Sequence, residues 1–154
     1  MLTAEECQEI EAEFSRYAYK EAVGMEAMRI VQQHRGWVSD EALADIAAFL
    51  GMTTDELDGV ATFYPLIYRS PVGRHVVQYC DSISCWIMGT DEVRQGLSAH
   101  LGIEPGETTP DGRFTLLPIV CLGTCDHAPA LMVDEDLFQD VDPARLHQIL
   151  DRYE

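Results

Sequence analysis

The sequence contains no long apolar run and little positive charge. No stretch approaches the roughly 18 apolar residues that a membrane-spanning helix needs. The first residues, MLTAEECQEI, have neither the basic and apolar segments of a secretory signal nor the Arg- and Ser-rich composition of a transit peptide. Only 10 Lys and Arg stand against 27 Asp and Glu, so nucleic acid and anionic membrane surfaces should repel the chain. We therefore expect a cytosolic protein that neither enters a membrane nor binds nucleic acid.

Nucleotide-binding loops and internal repeats are also missing. Neither G-x-G-x-x-G nor G-x-x-x-x-G-K-S/T occurs, so we expect no nucleotide or flavin site built on those loops. A chain of 154 residues with 47% hydrophobic residues can form one domain, or two small lobes, without a disulfide. In a cytosolic protein, paired cysteines more often bind metal or do redox work than form disulfides.

The front of the chain carries the signals of a helical bundle. Two capping boxes, Thr3 with Glu6 and Thr53 with Glu56, predict the starts of a first and a fourth helix. Apolar residues at helical spacing between them predict two more helices. Cys7 lies on the apolar stripe of the first helix, and we expect it to pack as a small hydrophobe and to bind no metal.

The back of the chain alternates between strand and helix patterns. Its order, β-α-β-β-α, implies a mixed sheet with helices packed on it. We therefore expect an α/β (α+β) fold, with an N-terminal helical bundle over residues 1–72 and a mixed β-sheet domain with flanking helices over residues 73–154. The predicted strands are 75–79, which ends at Cys80, then 114–120, which runs into Cys121, and the hairpin segments 130–133 and 137–139.

Four of the five cysteines form two tight pairs, Cys80 with Cys85 and Cys121 with Cys125. Each pair begins where a predicted strand ends. If these strands are parallel neighbours, both loops leave the sheet at one edge, where open α/β sheets commonly build sites. Neither pair has the C-x-x-C spacing of a thioredoxin-type dithiol. The compact run of cysteines typical of a 4Fe–4S cluster is missing as well.

Two kinds of thiolate site remain. Cysteine pairs at this spacing suit a tetrahedral zinc ion. They suit a 2Fe–2S cluster equally, because each iron takes two thiolates and completes its tetrahedron with two bridging sulfides. A Rieske centre needs two Cys/His pairs. Cys125 and His127 could form one pair, but no histidine near Cys80 or Cys85 supplies the other. We expect the five histidines to be surface or core residues. The spacing of the cysteines alone does not distinguish a zinc ion from a 2Fe–2S cluster.

Small residues fill the two cysteine loops. Ser82 and Ser84 lie in the first loop, and Gly123 and Thr124 lie in the second. Small residues let the backbone wrap closely and point its N–H groups at anionic sulfur. Such hydrogen bonds around the ligands tune the potential of a cluster. The alternative interpretation is an ordinary tight turn in each loop.

Five stretches of the chain carry a family resemblance: HRGWVSDEAL, GVATFYPLIYRSPVGRH, YCDSISCWIMG, DGRFTLLPIVCLGTCDHAP and MVDEDL. With them the chain resembles the thioredoxin-like 2Fe–2S ferredoxin family, and within it the small iron–sulfur subunits of NADH-oxidising modules such as that of bacterial respiratory complex I. The resemblance covers nearly the whole chain. It implies a thioredoxin-like fold behind the helical bundle, and one 2Fe–2S cluster held by Cys80, Cys85, Cys121 and Cys125.

The resemblance also implies a partner and a role. In such enzymes a larger iron–sulfur subunit binds NADH and FMN, and single electrons pass between the flavin and the small subunit. This chain would be an electron carrier without its own substrate site, catalytic only within the complex, on the cytoplasmic side of the inner membrane. Equivalent subunits serve NAD-linked hydrogenases and formate dehydrogenases. A zinc-stabilised interaction module is the alternative from a different class.

The segment TFYPLIY, residues 62–68, is rich in aromatic and aliphatic side chains, as the centres of interfaces often are. Under a docking hypothesis, Phe63, Tyr64 and Ile67 contact the partner subunit. Under the alternative, these three side chains pack the two lobes together.

Overall fold

The computed structural model describes all residues from Met1 to Glu154, which form two compact units, 1–71 and 72–154. The boundary lies one residue before the one expected from the sequence. The helices are α1 (Ala4–Glu13), α2 (Gly24–Arg35), α3 (Asp40–Leu50), α4 (Thr54–Phe63), α5 (Ile83–Ile87), α6 (Thr90–Leu101) and α7 (Leu146–Leu150). The strands are β1 (His75–Cys80), β2 (Phe114–Ile119), β3 (Leu131–Val133) and β4 (Asp136–Phe138). No helix is both long enough and apolar enough to cross a membrane.

Side-chain caps start three of the four helices of the first unit, α1, α3 and α4. Both predicted capping boxes form, because Thr3 and Thr53 accept the N–H groups of Glu6 and Glu56, whose carboxylates accept in return. The α3 helix ends at Gly51, whose φ of 77° is the left-handed conformation that favours glycine. The local sequence therefore fixes where these helices begin and end.

The four helices of the first unit enclose one hydrophobic core. Each turns an apolar stripe inward, as helices of a small bundle must in order to bury enough surface. Cys7 in α1 is half-buried and is not among the residues of this core, so it packs less completely than the sequence predicted. The most deeply buried members are Ile10, Met28, Val31, Ile46, Leu50 and Leu57.

A buried ion pair joins α1 to the end of α2 within this unit. The Glu6 side chain is 1% exposed, and its two carboxylate oxygens accept hydrogen bonds of 2.6 Å from the Arg35 guanidinium. These hydrogen bonds to Arg35 lower the pKa of Glu6 from its usual value of 4.5 to about 2. The bidentate geometry offsets the cost of removing the carboxylate from water.

The second unit is built on a mixed sheet with the order β2-β1-β3-β4. β1 and β2 are parallel, and their register runs from His75 opposite Phe114 to Cys80 opposite Ile119. β3 pairs antiparallel with β1, and β4 pairs antiparallel with β3. The prediction of a mixed sheet preceded by a helical bundle is confirmed.

One face of the sheet packs against α6 and α7. The sheet contributes Val77, Leu116, Leu131 and Val133 to this core, and the helices contribute Leu97 of α6 and Leu146 of α7. Side chains alternate along a strand, so Cys80 points away from the face to which Val77 and Tyr79 belong. Cys80 instead belongs to a separate buried cluster with Cys85 and Ala130.

Three details differ from the sequence prediction. β2 ends at Ile119, and the predicted last residue, Val120, is 76% exposed. The C-terminal helix opens as a single 3-10 turn, capped by Asp142, before α7 begins. The short helix α5 was not predicted, because five residues between Ile83 and Ile87 are too few to show helical periodicity.

Candidate metal centre

The parallel pairing of β1 and β2 brings both cysteine loops to one edge of the sheet. Cys80 is the last residue of β1, and Cys121 lies two residues beyond the end of β2. The N–H of Asp81 donates to the Ile119 carbonyl at 2.8 Å, which locks the two chain segments together where they leave the sheet. Convergence of the two loops, expected if the strands were parallel neighbours, is therefore a property of the fold.

The first cysteine pair is buried. Cys80 is 1% exposed, and Cys85, on α5, is 2% exposed. Ala130 serves both residues through its backbone: its carbonyl accepts the Cys80 N–H at 3.0 Å, and its own N–H donates to the Cys85 sulfur. The inner side of the site is thus apolar, with a backbone donor aimed at one sulfur.

The second pair faces solvent. The Sγ atoms of Cys121 and Cys125 are 3.9 Å apart, and both residues are exposed. The N–H of Gly123 donates to the Cys121 Sγ at 3.3 Å. Gly123 has a φ of 78°, a left-handed conformation in which glycine avoids the strain of a side chain. The loop thus curls around its own cysteine sulfur.

Burial makes Cys85 a poor thiolate on its own. Loss of solvation, followed by the hydrogen bond with Cys80, raises the pKa of the Cys85 thiol to about 11. At neutral pH such a thiol stays protonated, and a bound cation is what would stabilise its thiolate. Binding of a metal to Cys85 would therefore release its proton.

The donor set fits a binuclear centre. Two thiolates on one tetrahedral metal, with bonds near 2.3 Å, lie about 3.8 Å apart, and the Cys121–Cys125 distance of 3.9 Å matches this. A 2Fe–2S cluster requires two thiolates on each of its two irons, and the exposed pair has the spacing that one such metal needs.

The small residues of the two loops differ in what they contact. Gly123 is the one whose N–H reaches a sulfur. Thr124 is buried, and its hydroxyl accepts a hydrogen bond from the Gln139 amide. Ser82 and Ser84 are half-buried around the start of α5, where their carbonyls accept backbone N–H groups of the next turn. The two serines therefore shape the helix that carries Cys85.

His127, two residues after Cys125, contacts acidic side chains. His127 is 51% exposed, and its Nδ1 lies 2.9 Å from the Asp140 carboxylate. The hydrogen bond with Asp140, with the charges of Asp140 and Asp126, raises the pKa of His127 above its usual value. Its ring thus belongs to the acidic surface beside Cys125.

The three residues predicted to contact the partner, Phe63, Tyr64 and Ile67, differ in how far they are exposed. Phe63 is 77% exposed and Tyr64 is 41% exposed, and their rings meet edge to face with centroids 5.2 Å apart. Ile67 is 8% exposed and belongs to the core of the first unit. Only the two aromatic rings are therefore available on the surface.

Sequence reasoning missed Ala130 and the outer face of α5. Ala130 acts through its backbone N–H and carbonyl, and no side-chain pattern signals such a role. The α5 helix exposes Ile83, Trp86 and Ile87. These three residues are spaced i, i+3 and i+4, which places them on one face of α5, but a single such set in five residues is too short to predict a helix.

A mixed sheet with two cysteine pairs at one edge defines an α/β protein with four thiols near the shared end of β1 and β2. The chain belongs to the family described as thioredoxin-like [2Fe-2S] ferredoxin, whose model matches residues 10–154. This membership supports an iron–sulfur cluster and a role in electron transfer.

Relatives and solved structures agree with this family. The chain is 48% identical over 152 residues to a NADH-quinone oxidoreductase subunit of Escherichia coli (strain K12), covering 99% of this chain and 92% of the relative. The corresponding NADH-quinone oxidoreductase subunit of Pseudomonas aeruginosa is 47% identical over 153 residues, with the same coverage. The crystal structure of an NAD+-reducing [NiFe]-hydrogenase in the H2-reduced state matches with a TM-score of 0.67 over 81% of this chain, at 24% identity. This chain spans 21% of the hydrogenase chain, and the likeness shows the fold alone.

Proposed function

We propose that this chain is the electron-transfer subunit of an NADH-quinone oxidoreductase and that Cys80, Cys85, Cys121 and Cys125 hold one 2Fe–2S cluster. The observation that carries the proposal is the meeting of two cysteine pairs at the shared end of β1 and β2. When bound, the cluster supplies a redox couple that takes up one electron at a time.

The residues around the cysteines have distinct roles under this proposal. Cys80 and Cys85 hold the cluster from the buried side, where Ala130 donates its N–H to the Cys85 sulfur and water is excluded. On the exposed side, Gly123 donates to the Cys121 sulfur. Hydrogen bonds of this kind stabilise anionic sulfur and so tune the reduction potential of the cluster.

Thr124 fixes the second loop through Gln139. Ser82 and Ser84 support α5.

The proposed electron partner is the FMN of a larger iron–sulfur subunit that also binds NADH. Both the resemblance of the sequence and the NADH-quinone oxidoreductase relatives support this partner. The complex would place the chain on the cytoplasmic side of the inner membrane, as a peripheral subunit. The identity of 48% and 47% to NADH-quinone oxidoreductase subunits supports the proposal that this chain serves an enzyme of that kind.

Metal and sulfide analysis of the anaerobically purified chain tests the proposal. We expect two irons and two acid-labile sulfides per chain, a brown colour that bleaches on reduction, and a paramagnetic resonance signal from the reduced protein alone. A colourless protein with one zinc ion per chain and no sulfide would instead identify a zinc-stabilised interaction module.

The helical unit is proposed to dock on the partner through Phe63 and Tyr64. Phe63→Lys and Tyr64→Lys should weaken capture of the partner subunit by at least about tenfold, because buried aromatic anchors carry much of the energy of an interface. The isolated variants should keep the unfolding midpoint of the wild type, since both rings are already exposed. Pull-down at graded partner concentrations and thermal unfolding measure the two quantities.

Tyr19→Lys is the matched control for this docking test. Tyr19 is 65% exposed in the same unit, outside the TFYPLIY segment, so its substitution should leave capture unchanged. Unfolding of the Phe63→Lys and Tyr64→Lys chains would instead assign the two rings a structural role.

A further inference from the structure

A polar side chain without a hydrogen-bond partner is buried in the sheet that carries the cysteines. Gln78 on β1 is 1% exposed, and neither its Nε2 nor its Oε1 forms a hydrogen bond within the chain. Burial of an amide without partners costs stability, because the amide gives up its hydrogen bonds to water. Most buried side-chain polar groups in proteins are paired, so this exception requires an explanation.

Gln78 lies on the same face of the sheet as Cys80. Side chains alternate along a strand, so residues two positions apart share a face, and their Cα atoms are about 7 Å apart. Gln78 and Cys80 are two positions apart on β1, and both are 1% exposed. Side chains in strands lean along the strand direction, and a glutamine carries its amide at the end of a flexible side chain. Gln78 can therefore extend towards the end of β1 where Cys80 lies.

The neighbours of Gln78 on this face of the sheet offer it no strong partner. Leu117 lies opposite it on β2, and Met132 lies opposite it on β3. Val76 is the preceding residue of β1 on the same face. Leucine and valine side chains have no polar group, and the methionine sulfur is only a weak acceptor. The amide N–H of Gln78 therefore needs an acceptor nearer the end of the strand.

Another buried polar side chain on this face already has its partners. Thr115 lies opposite Val76 on β2 and is 2% exposed. Its Oγ1 accepts the Gly73 N–H at 2.6 Å and lies 2.7 Å from the Thr108 hydroxyl oxygen. Thr115 is thus satisfied within the chain, whereas Gln78, which lies nearer the cysteines, is not.

The Cys80 sulfur has the complementary need when it binds metal. Its Sγ lies 3.9 Å from the Val120 carbonyl oxygen. A carbonyl only accepts hydrogen bonds and a thiolate has no hydrogen to donate, so this contact cannot stabilise a Cys80 thiolate. The N–H groups of Ala130 and Gly123 go to other sulfurs of the site. A buried Cys80 thiolate therefore needs a donor, and Gln78 has one without a partner.

We propose that Gln78 is a positioning residue whose amide N–H donates a hydrogen bond to the Cys80 sulfur when the cluster is bound. The inference rests on the proposed function, which makes Cys80 a cluster ligand. Reduction adds negative charge to the cluster and its ligands, and a buried donor stabilises the reduced form more than the oxidised form. Gln78 therefore raises the reduction potential of the cluster.

Potentiometric titration of the cluster-loaded chain, followed by paramagnetic resonance, measures this effect. Gln78→Met keeps the approximate length of the side chain and removes the donor. The equilibrium constant for one-electron reduction should therefore fall about tenfold, which is a shift of about 59 mV to lower potential. Iron and sulfide per chain should match the wild type.

Thr115→Val is the matched control, because it removes a buried polar group from the same face of the sheet at a site farther from Cys80. Thr115 is hydrogen-bonded within the chain, so this substitution should lower the thermal unfolding midpoint. It should leave the reduction potential at the wild-type value.

A spectroscopic measurement on the wild-type chain makes the test independent of how Gln78→Met folds. With nitrogen-15 in the glutamine side-chain amides, pulsed paramagnetic resonance of the reduced cluster should show a nitrogen-15 coupling from Gln78. The coupling should persist in Gln139→Met, because the Gln139 amide donates to the Thr124 hydroxyl and not to sulfur.

Three results would each overturn the role of Gln78: no coupling in the wild type, loss of the coupling in Gln139→Met, or an unchanged potential in a fully loaded Gln78→Met chain. An amide with a structural role alone, such as one that holds a buried water, gives the last result together with a lower unfolding midpoint. The proposed function stands after all three. A wild-type chain that holds zinc in place of iron and sulfide would instead refute the proposed function itself.

Discussion

Serine in place of any one of Cys80, Cys85, Cys121 or Cys125 is expected to lower cluster content by at least about tenfold, and Cys7→Ser is expected to leave it unchanged. Even residues that only orient metal ligands contribute about 10- to 100-fold to metal affinity, and a ligand itself contributes no less. Cys7 lies in α1 of the helical unit, so it serves as the matched control. Iron and sulfide per chain, with the absorption spectrum, measure the effect.

The two pairs should respond differently. Cys85 is buried in apolar surroundings, where a serine hydroxyl, which is far less acidic than a thiol, has no solvent to favour its ionised form. We therefore expect Cys80→Ser and Cys85→Ser to remain without cluster even after anaerobic reconstitution with iron and sulfide. Cys121→Ser and Cys125→Ser, at the solvent-exposed side, should recover part of it. Full iron content in Cys85→Ser, or loss of iron in Cys7→Ser, would contradict the assigned ligands.

Arg35→Met is expected to destabilise the chain by about 3–5 kcal/mol at pH 7. The substitution leaves the Glu6 carboxylate buried and without its guanidinium, which is the costly way to break a buried ion pair. The double variant Glu6→Gln with Arg35→Met should recover most of the loss, because a neutral amide at position 6 no longer needs a cation. Urea unfolding followed by circular dichroism gives the free energies.

The same pair predicts how the wild-type stability depends on pH. The pKa of Glu6 is about 2 in the folded chain, against a usual value of 4.5, so the unfolded chain binds its proton more readily. The ionised pair therefore contributes about 3 kcal/mol, from 1.4 kcal/mol per pKa unit. This contribution is fully present above the unfolded pKa of 4.5 and is lost as the pH falls towards 2. If Arg35→Met lost stability equally steeply between pH 4.5 and pH 2, this would contradict the assignment of that loss to the Glu6–Arg35 pair.

Much of the local structure follows from short-range chemistry. Thr3 and Thr53 start helices because their hydroxyls satisfy backbone N–H groups a few residues ahead. Alternating apolar residues predicted the strands that end at Cys80 and near Cys121. Each of these signals acts over only a few residues, so neighbouring sequence alone is enough to specify it. The short helix α5 escaped prediction because its five residues are too few to show helical periodicity.

The sequence by itself determined two paired sets of thiols, the acidic charge and the order of helices and strands. Tertiary structure alone decided that β1 and β2 are parallel neighbours, because strand pairing depends on contacts between residues about 40 positions apart. It also decided which sulfurs are buried and which are exposed, and that Ile67 packs inside while Phe63 stays outside. Burial is a property of the whole packed chain, and no short stretch of residues carries it.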